Sequence, residues 1–205
     1  IAVTDWWPHL AKQVDDICFV RNMWTTDNDH AAENQIHTGR HKLDETQPSI
    51  GAWAHYGLGS LNENLPRFVV LGGPTRTDTR ESIDSYYLGP AHAGVPLKLD
   101  PTNPLTFGSR RAGQTEKHQS NEFDLVARLN RLTAERRPED PRLAARIKSY
   151  ELAFRMQTAA PQVVDLKQET PAIHRLYGTD GGSTQSFGRL CLTARRLVER
   201  GVCFI

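Results

Sequence analysis

Cysteine is scarce in this chain. Cys18, Cys191 and Cys203 stand far apart with no CxxC spacing, which excludes both a disulfide framework and a zinc knuckle. All three lie in apolar stretches, so they are expected as buried small hydrophobic side chains. Long apolar runs are missing too: nothing approaches the roughly 18 residues needed to cross a bilayer. An excess of charge of one sign is also lacking, since 25 basic and 24 acidic residues leave a formal net charge of +1. Bulk electrostatics therefore draws the chain neither to nucleic acid nor to an anionic membrane. The sequence opens at Ile1 with no methionine and no signal-peptide core, so no compartment is written in it. Internal repeats and low-complexity tracts are likewise absent.

What is present is an ordinary globular composition: 205 residues, 38% apolar and 24% charged, with a mean hydropathy of -0.54. That length suits one α/β domain over 1–205 with a sizeable core. Charge is unevenly spread. Residues 1–108 carry 8 basic and 13 acidic side chains, and residues 109–156 carry 11 and 7. In 121–156 the two signs alternate at helical spacing, which reads as a solvated helix surface; a nucleic-acid-binding helical module is the weaker reading.

Asp5 caps a first expected helix running to Asp16, with Trp6, Leu10 and Val14 on one side, and Ile17–Val20 reads as a short buried strand. A polar stretch, Thr25 to His30, precedes a short helix from Ala31 to Gly39. Helical Ile50–Leu58, capped by Ser49, leads to a second strand over Arg67–Leu71 that stops at Gly72. From 74 to 120 periodicity gives way to Pro, Gly, Thr and Ser, a long excursion whose possible contacts are Tyr86, Tyr87 and His92. Two helices follow, striped by Phe123 to Leu132 and by Leu143 to Phe154. The second is capped by Asp140, and the pair is expected as an antiparallel hairpin. A last helix with Ser186 as cap carries Phe187, Leu190, Cys191, Ala194 and Leu197 on one face and ends at Gly201. The apolar run 201–205 reads as a further buried strand, which marks the chain as the central piece of something longer. Strands alternating with amphipathic helices argue for an α/β fold with a mostly parallel sheet.

Chemistry concentrates in Thr25, Thr26, Asp27, Asn28, Asp29 and His30, between a strand and a helix. In a parallel sheet that is the carboxyl edge, where ligands bind and helix N–H groups attract anions. Asp27, Asp29 and His30 are potential ligands of a divalent metal, and His37 and His41 add imidazoles on either side of a helix break. Asp29 or Asn28 serving only as a helix cap is the competing reading, and one residue can do both. The aromatic-rich helix bearing Trp53, His55 and Tyr56 is expected to pack on the sheet. His118 and His174 read as surface residues. The turn Gly178–Ser183 has the glycines of a phosphate cradle but lacks the rest of that pattern, so an ordinary loop is expected.

Beyond these local readings, the runs Thr38-Gly-Arg, Pro48-Ser-Ile-Gly-Ala-Trp53, Tyr56-Gly-Leu-Gly-Ser60, Asn64-Leu-Pro66 and Phe68-Val-Val-Leu71 resemble a bacterial family catalogued as domain of unknown function fifteen-oh-one. So do Tyr150 to Met156, Leu176-Tyr-Gly178 and Ala194 to Val202. The resemblance implies a place in the alkaline phosphatase and sulfatase superfamily, with a three-layer α/β/α sandwich and a metal centre at the strand ends. Such enzymes carry a Ser, Thr or formylglycine nucleophile ten residues before the glycine of a helix-ending Thr-Gly. In this sequence that position is Asp29, a carboxylate in place of the expected group. The resemblance thus implies Asp29 as nucleophile or metal ligand, with Asn28 and His30 as catalytic neighbours and Thr26, Asp27 and Arg40 as substrate contacts. It implies a zinc, calcium or magnesium cofactor, an anionic ester or polymer as substrate, export to the periplasm or beyond, and metal ligands supplied by segments before and after this one. The alternative is an exported binding or assembly module that keeps the fold without the chemistry.

Overall fold

A computed structural model describes residues 3–26, 28–29, 31–41, 43–59, 62–72, 83–100, 104–105 and 113–205. The elements in chain order are α1 (Ala31–Thr38), α2 (Ile50–Leu58), β1 (Val69–Leu71), β2 (Val95–Leu97), α3 (Glu116–Arg136), α4 (Pro141–Val164), α5 (Pro171–Tyr177) and α6 (Gln185–Val198). Short 3-10 turns lie at Leu10–Asp16, Tyr86–Leu88, Pro90–His92 and Leu166–Gln168.

The sheet is parallel. Val69 pairs with Val95 and Leu71 with Leu97, and Phe204 adds a parallel bridge to Phe68 on the other side of β1. Val69 N donates to the Phe204 carbonyl at 3.0 Å. These extended runs are apolar because helices cover them. The core joins Leu65, Val69 and Leu97 to Met156, Ala160, Val163 and Val164 of α4 and to Leu197 of α6, with Val202 beneath. The architecture is mixed α/β, as the alternation of elements requires. Among the described residues, however, the mostly parallel sheet of a three-layer sandwich is represented only by β1, β2 and the Phe204 bridge.

Local signals placed most helices well. Ser49 Oγ accepts from Ala52 N at 3.3 Å and caps α2, and Asp140 Oδ1 accepts from Leu143 N at 3.2 Å in the first turn of α4. Phe123 and Phe154 stack at 4.2 Å between ring centroids, joining α3 to α4 as the expected hairpin. Helix α6 starts at Gln185 rather than after a Ser186 cap, and Thr184, its N-cap residue, makes no side-chain cap bond. Within the described part of the 74–120 excursion lie two 3-10 turns, β2 and the start of α3.

Three expectations are corrected. The helix expected from Asp5 to Asp16 is a 3-10 stretch over Leu10–Asp16 with no buried residue, and Trp6 is 88% exposed. Its apolar stripe has no surface to pack on, and without packing a short helix gains little. Ile17–Val20 is not a strand but exposed chain, because no neighbouring strand among the described residues accepts its hydrogen bonds. Cys18 and Cys203 are exposed and Cys191 is half-buried, so the apolar context of the cysteines did not translate into burial. No helix among the described residues is long and apolar enough to cross a membrane.

Candidate functional site

Helix α1 is built by its two ends. At the first, Asp29 Oδ1 accepts from Ala31 N at 2.8 Å and the Asp29 carbonyl accepts from Ala32 N at 3.0 Å, so Asp29, two residues before the first helical residue, turns the chain into α1. At the other, Gly39 takes the left-handed φ of 73° and its N–H closes on the Gln35 carbonyl at 2.8 Å. Gln35 also holds the loop before the helix. Its Oε1 accepts from Thr26 N at 3.0 Å, from Thr26 Oγ1 at 3.1 Å and from Thr25 Oγ1 at 2.5 Å. The Thr26 hydroxyl is therefore used to fasten the loop to α1.

Asn28 and Asp29 stand exposed side by side at this helix start. Asp27 and His30 lie outside the described residues. Arg40 is at the far end of α1, about 12 Å along the axis from its start given 1.5 Å per residue. The structure thus brings Thr26, Asn28 and Asp29 to one helix terminus and places Arg40 at the other. His37 ends α1 exposed, and His41 Nδ1 accepts from Leu43 N at 3.0 Å. Among the described residues no three of His, Cys, Asp and Glu cluster closely enough to hold a metal ion. The described donors near Asp29 therefore do not by themselves fit the divalent centre that the resemblance implies.

A second grouping escaped the sequence because its members come from opposite sides of β1. Helix α2 carries Trp53, His55 and Tyr56; the 83–94 segment brings Tyr87 and His92 against them. The His55 and His92 rings lie 4.5 Å apart, and Tyr56 meets His92 edge-on at 5.3 Å. Trp53 is flanked by Tyr56 at 6.0 Å and Tyr87 at 6.1 Å, both edge-to-face. Burial pushes the His55 imidazole down to about 4, helped by the neighbouring His92 and the Arg67 charge. Burial and Arg67 lower His92 as well. Both rings are thus neutral near pH 7, and Nδ1 of each is buried with no hydrogen-bond partner among the described residues. Trp53, Tyr56 and Tyr87 remain 44%, 59% and 63% exposed, so α2 turns its aromatic side away from the sheet on which it was expected to pack.

The scaffold behind these rings is tight. Phe68 of the sheet projects between the two segments: a Cβ on Gly51 would meet its Cζ at 2.4 Å, and one on Gly94 its Cε1 at 2.8 Å. Ser49 N donates to the Asp84 carbonyl at 3.1 Å and Gly94 N to the Ile83 carbonyl at 2.9 Å. Tyr86 adopts φ of 37°, a left-handed conformation that costs a non-glycine residue about 1–3 kcal/mol. The sequence signals for this grouping were the aromatic-rich helix with Trp53, His55 and Tyr56 and the bulky Tyr86, Tyr87 and His92 in a loop rich in small residues, with nothing to join the two.

Elsewhere, an open cavity of about 460 Å³ beside the end of α4 is lined by Lys167, His174, Thr179, Gln185 and Arg189 among others. His174 Nδ1 lies 2.5 Å from Thr179 Oγ1, so this histidine pins the glycine-rich turn instead of standing free on the surface.

The chain belongs to the family described as Protein of unknown function (DUF1501), whose profile matches residues 1–205. No curated protein and no solved structure matches it.

Proposed function

We propose that this chain is the central portion of an alkaline phosphatase/sulfatase-like, metal-dependent hydrolase of phosphate or sulfate esters, built on a three-layer α/β/α sandwich. The observation that supports it is α1: Asp29 lies just before a helix that closes at Thr38-Gly39, ten residues ahead of that glycine, the spacing at which that superfamily places its nucleophile. Asp29 would act there as nucleophile or ligand, flanked by Asn28 and His30. The helix start offers N–H groups and a favourable dipole to an anionic oxygen. The zinc, calcium or magnesium centre and the remaining ligands would come from outside the described residues, and the whole protein would work in an exported setting. Apolar side chains left on the surface, such as Trp24 at 81% and Leu43 at 88% exposed, fit a piece that other surfaces cover.

A second reading is an assembly or binding module that keeps the fold without turnover. Its support is that Asp29 already uses Oδ1 to hold Ala31 N in the turn into α1 and is a carboxylate where the superfamily has a hydroxyl or formylglycine. The experiment that separates the two is hydrolysis of p-nitrophenyl phosphate and p-nitrophenyl sulfate by the full-length protein, with metal content measured on the same sample. Turnover with stoichiometric metal supports the hydrolase; a metal-free, inert, folded protein after growth with all three metals overturns it.

A further inference from the structure

The aromatic and histidine face of α2 is a built surface with no described occupant. Its two halves are locked by the Phe68 ring, by the Ser49 and Gly94 backbone bonds, and by Ser85 Oγ donating to the Gly89 carbonyl at 2.6 Å. Tyr87 is oriented further by its hydroxyl, which donates to Gln47 Oε1 at 2.9 Å. Rings fixed in this way lose little freedom when a ligand arrives, which favours binding.

The chemistry of the face narrows the ligand. Three exposed rings offer apolar surface with positive edges, onto which a flat, weakly apolar face can stack. Two uncharged, half-buried imidazoles stand behind them, and with Nδ1 of each enclosed it is Nε2 that can exchange a hydrogen bond with a hydroxyl. Arg67, with Nη1 4.0 Å from the Cβ position of Gly59 at the end of α2, adds a positive charge that lowers both imidazoles. That charge opposes a metal ion or an ammonium group and favours a carboxylate or sulfate, which a guanidinium matches in two parallel hydrogen bonds. A purely apolar protein surface would leave the imidazoles and the arginine without partners, at a cost.

We propose that Trp53, Tyr56, Tyr87, His55, His92 and Arg67 form a carbohydrate-binding subsite for a sugar ring bearing an anionic substituent. The hydrophobic face of the ring stacks on Trp53, flanked by the two tyrosines, its hydroxyls meet the imidazole edges, and its acidic group meets Arg67. The site lies apart from the start of α1 in sequence and composition, and it requires binding only. Its failure would leave the hydrolase reading standing, and the reverse also holds.

The test is binding by the full-length protein, followed by tryptophan fluorescence and calorimetry. The probes are heparin and polygalacturonate as sulfated and carboxylated sugar polymers, dextran as the neutral sugar, and polyphosphate and single-stranded DNA as anions without the proposed ligand. We expect one or both acidic polysaccharides to bind at least tenfold more tightly than the other probes, and which of them does so identifies the acidic group. Trp53→Ala and Tyr87→Ala should each weaken binding at least tenfold, and Arg67→Gln should bring the acidic polymers to the level of dextran. Tyr87 is the more exposed ring, so Tyr87→Ala decides the matter if Trp53→Ala does not fold, as judged by circular dichroism. Equal binding of polyphosphate, preference for DNA, no polysaccharide binding, or loss of a dimer in sedimentation on Trp53→Ala substitution would each overturn the proposal.

Discussion

The Arg196 guanidinium donates from Nε to the carbonyl of Val163 at 2.8 Å, so a side chain of α6 closes the open end of α4. Its Nη2 donates to the Gln162 carbonyl at 2.7 Å, and Nη1 pairs with Glu169, which Arg195 also grips at 2.7 Å. A charged residue only 4% exposed is tolerated here because the fork of donors meets carbonyls and a carboxylate together. Helix ends leave such carbonyls without partners, and this arginine supplies them.

Arg196→Met should therefore cost about 3–5 kcal/mol, because it strands the buried Val163 and Gln162 carbonyls and leaves Glu169 with Arg195 alone of its two arginines. Urea unfolding measures the change. A loss below about 1 kcal/mol would show that water replaces the arginine without penalty.

Stability should fall on mild acidification through the histidine pair. Unfolded, His55 takes a proton near pH 6.5; folded, it does so only near 4. Between those values the unfolded chain binds more protons, so stability is complete above about 6.5 and declines as the pH drops toward 4. His92, also lowered, acts in the same direction beside the fixed charge of Arg67. His55→Gln should flatten this limb of a stability-pH curve, and an unchanged slope between pH 6.5 and 4 would refute the assignment.

Two glycines of α2 should respond oppositely to alanine. Gly57 has nothing within 4 Å of its Cβ position, so Gly57→Ala should stabilise by about 0.5–1 kcal/mol through helix propensity. Gly51→Ala drives a methyl into the Phe68 ring and should cost about 1–3 kcal/mol. Introducing Phe68→Leu alongside Gly51→Ala should recover part of that loss. Thermal melts of the three variants check the pattern, and a stabilising Gly51→Ala would disprove the clamp.

At the start of α1 the structural and chemical roles of Asp29 separate by substitution. Asp29→Asn keeps an acceptor for Ala31 N, whereas Asp29→Ala loses this turn bond at about 1 kcal/mol. If Asp29 also serves in ester hydrolysis, both variants should lose at least a hundredfold in kcat/KM, while only Asp29→Ala loses stability. Retained turnover in Asp29→Asn would confine the residue to shaping the turn into α1.

Much of the secondary structure was legible because its causes are local. The Ser49 and Asp140 caps, the left-handed Gly39 and the apolar stripe of α6 each act within a turn or two, and the elements they imply are present. The first twenty residues misled for the same reason: their stripe and their apolar run are real, but a stripe needs a partner surface and a strand needs a neighbour. The exposed cysteines make a similar point, since apolar neighbours in sequence need not be neighbours in space.

By itself, then, the sequence determined the mixed α/β class, the family and the helix ends at Ser49, Asp140 and Gly39. Only the tertiary structure decided that His55 meets His92, that Phe68 wedges between Gly51 and Gly94, and that Arg196 seals α4. The first set depends on hydrogen bonds and periodicities a few residues long. The second depends on which surfaces β1 and β2 bring together, and no short-range pattern encodes a contact between segments 37 residues apart, as His55 and His92 are.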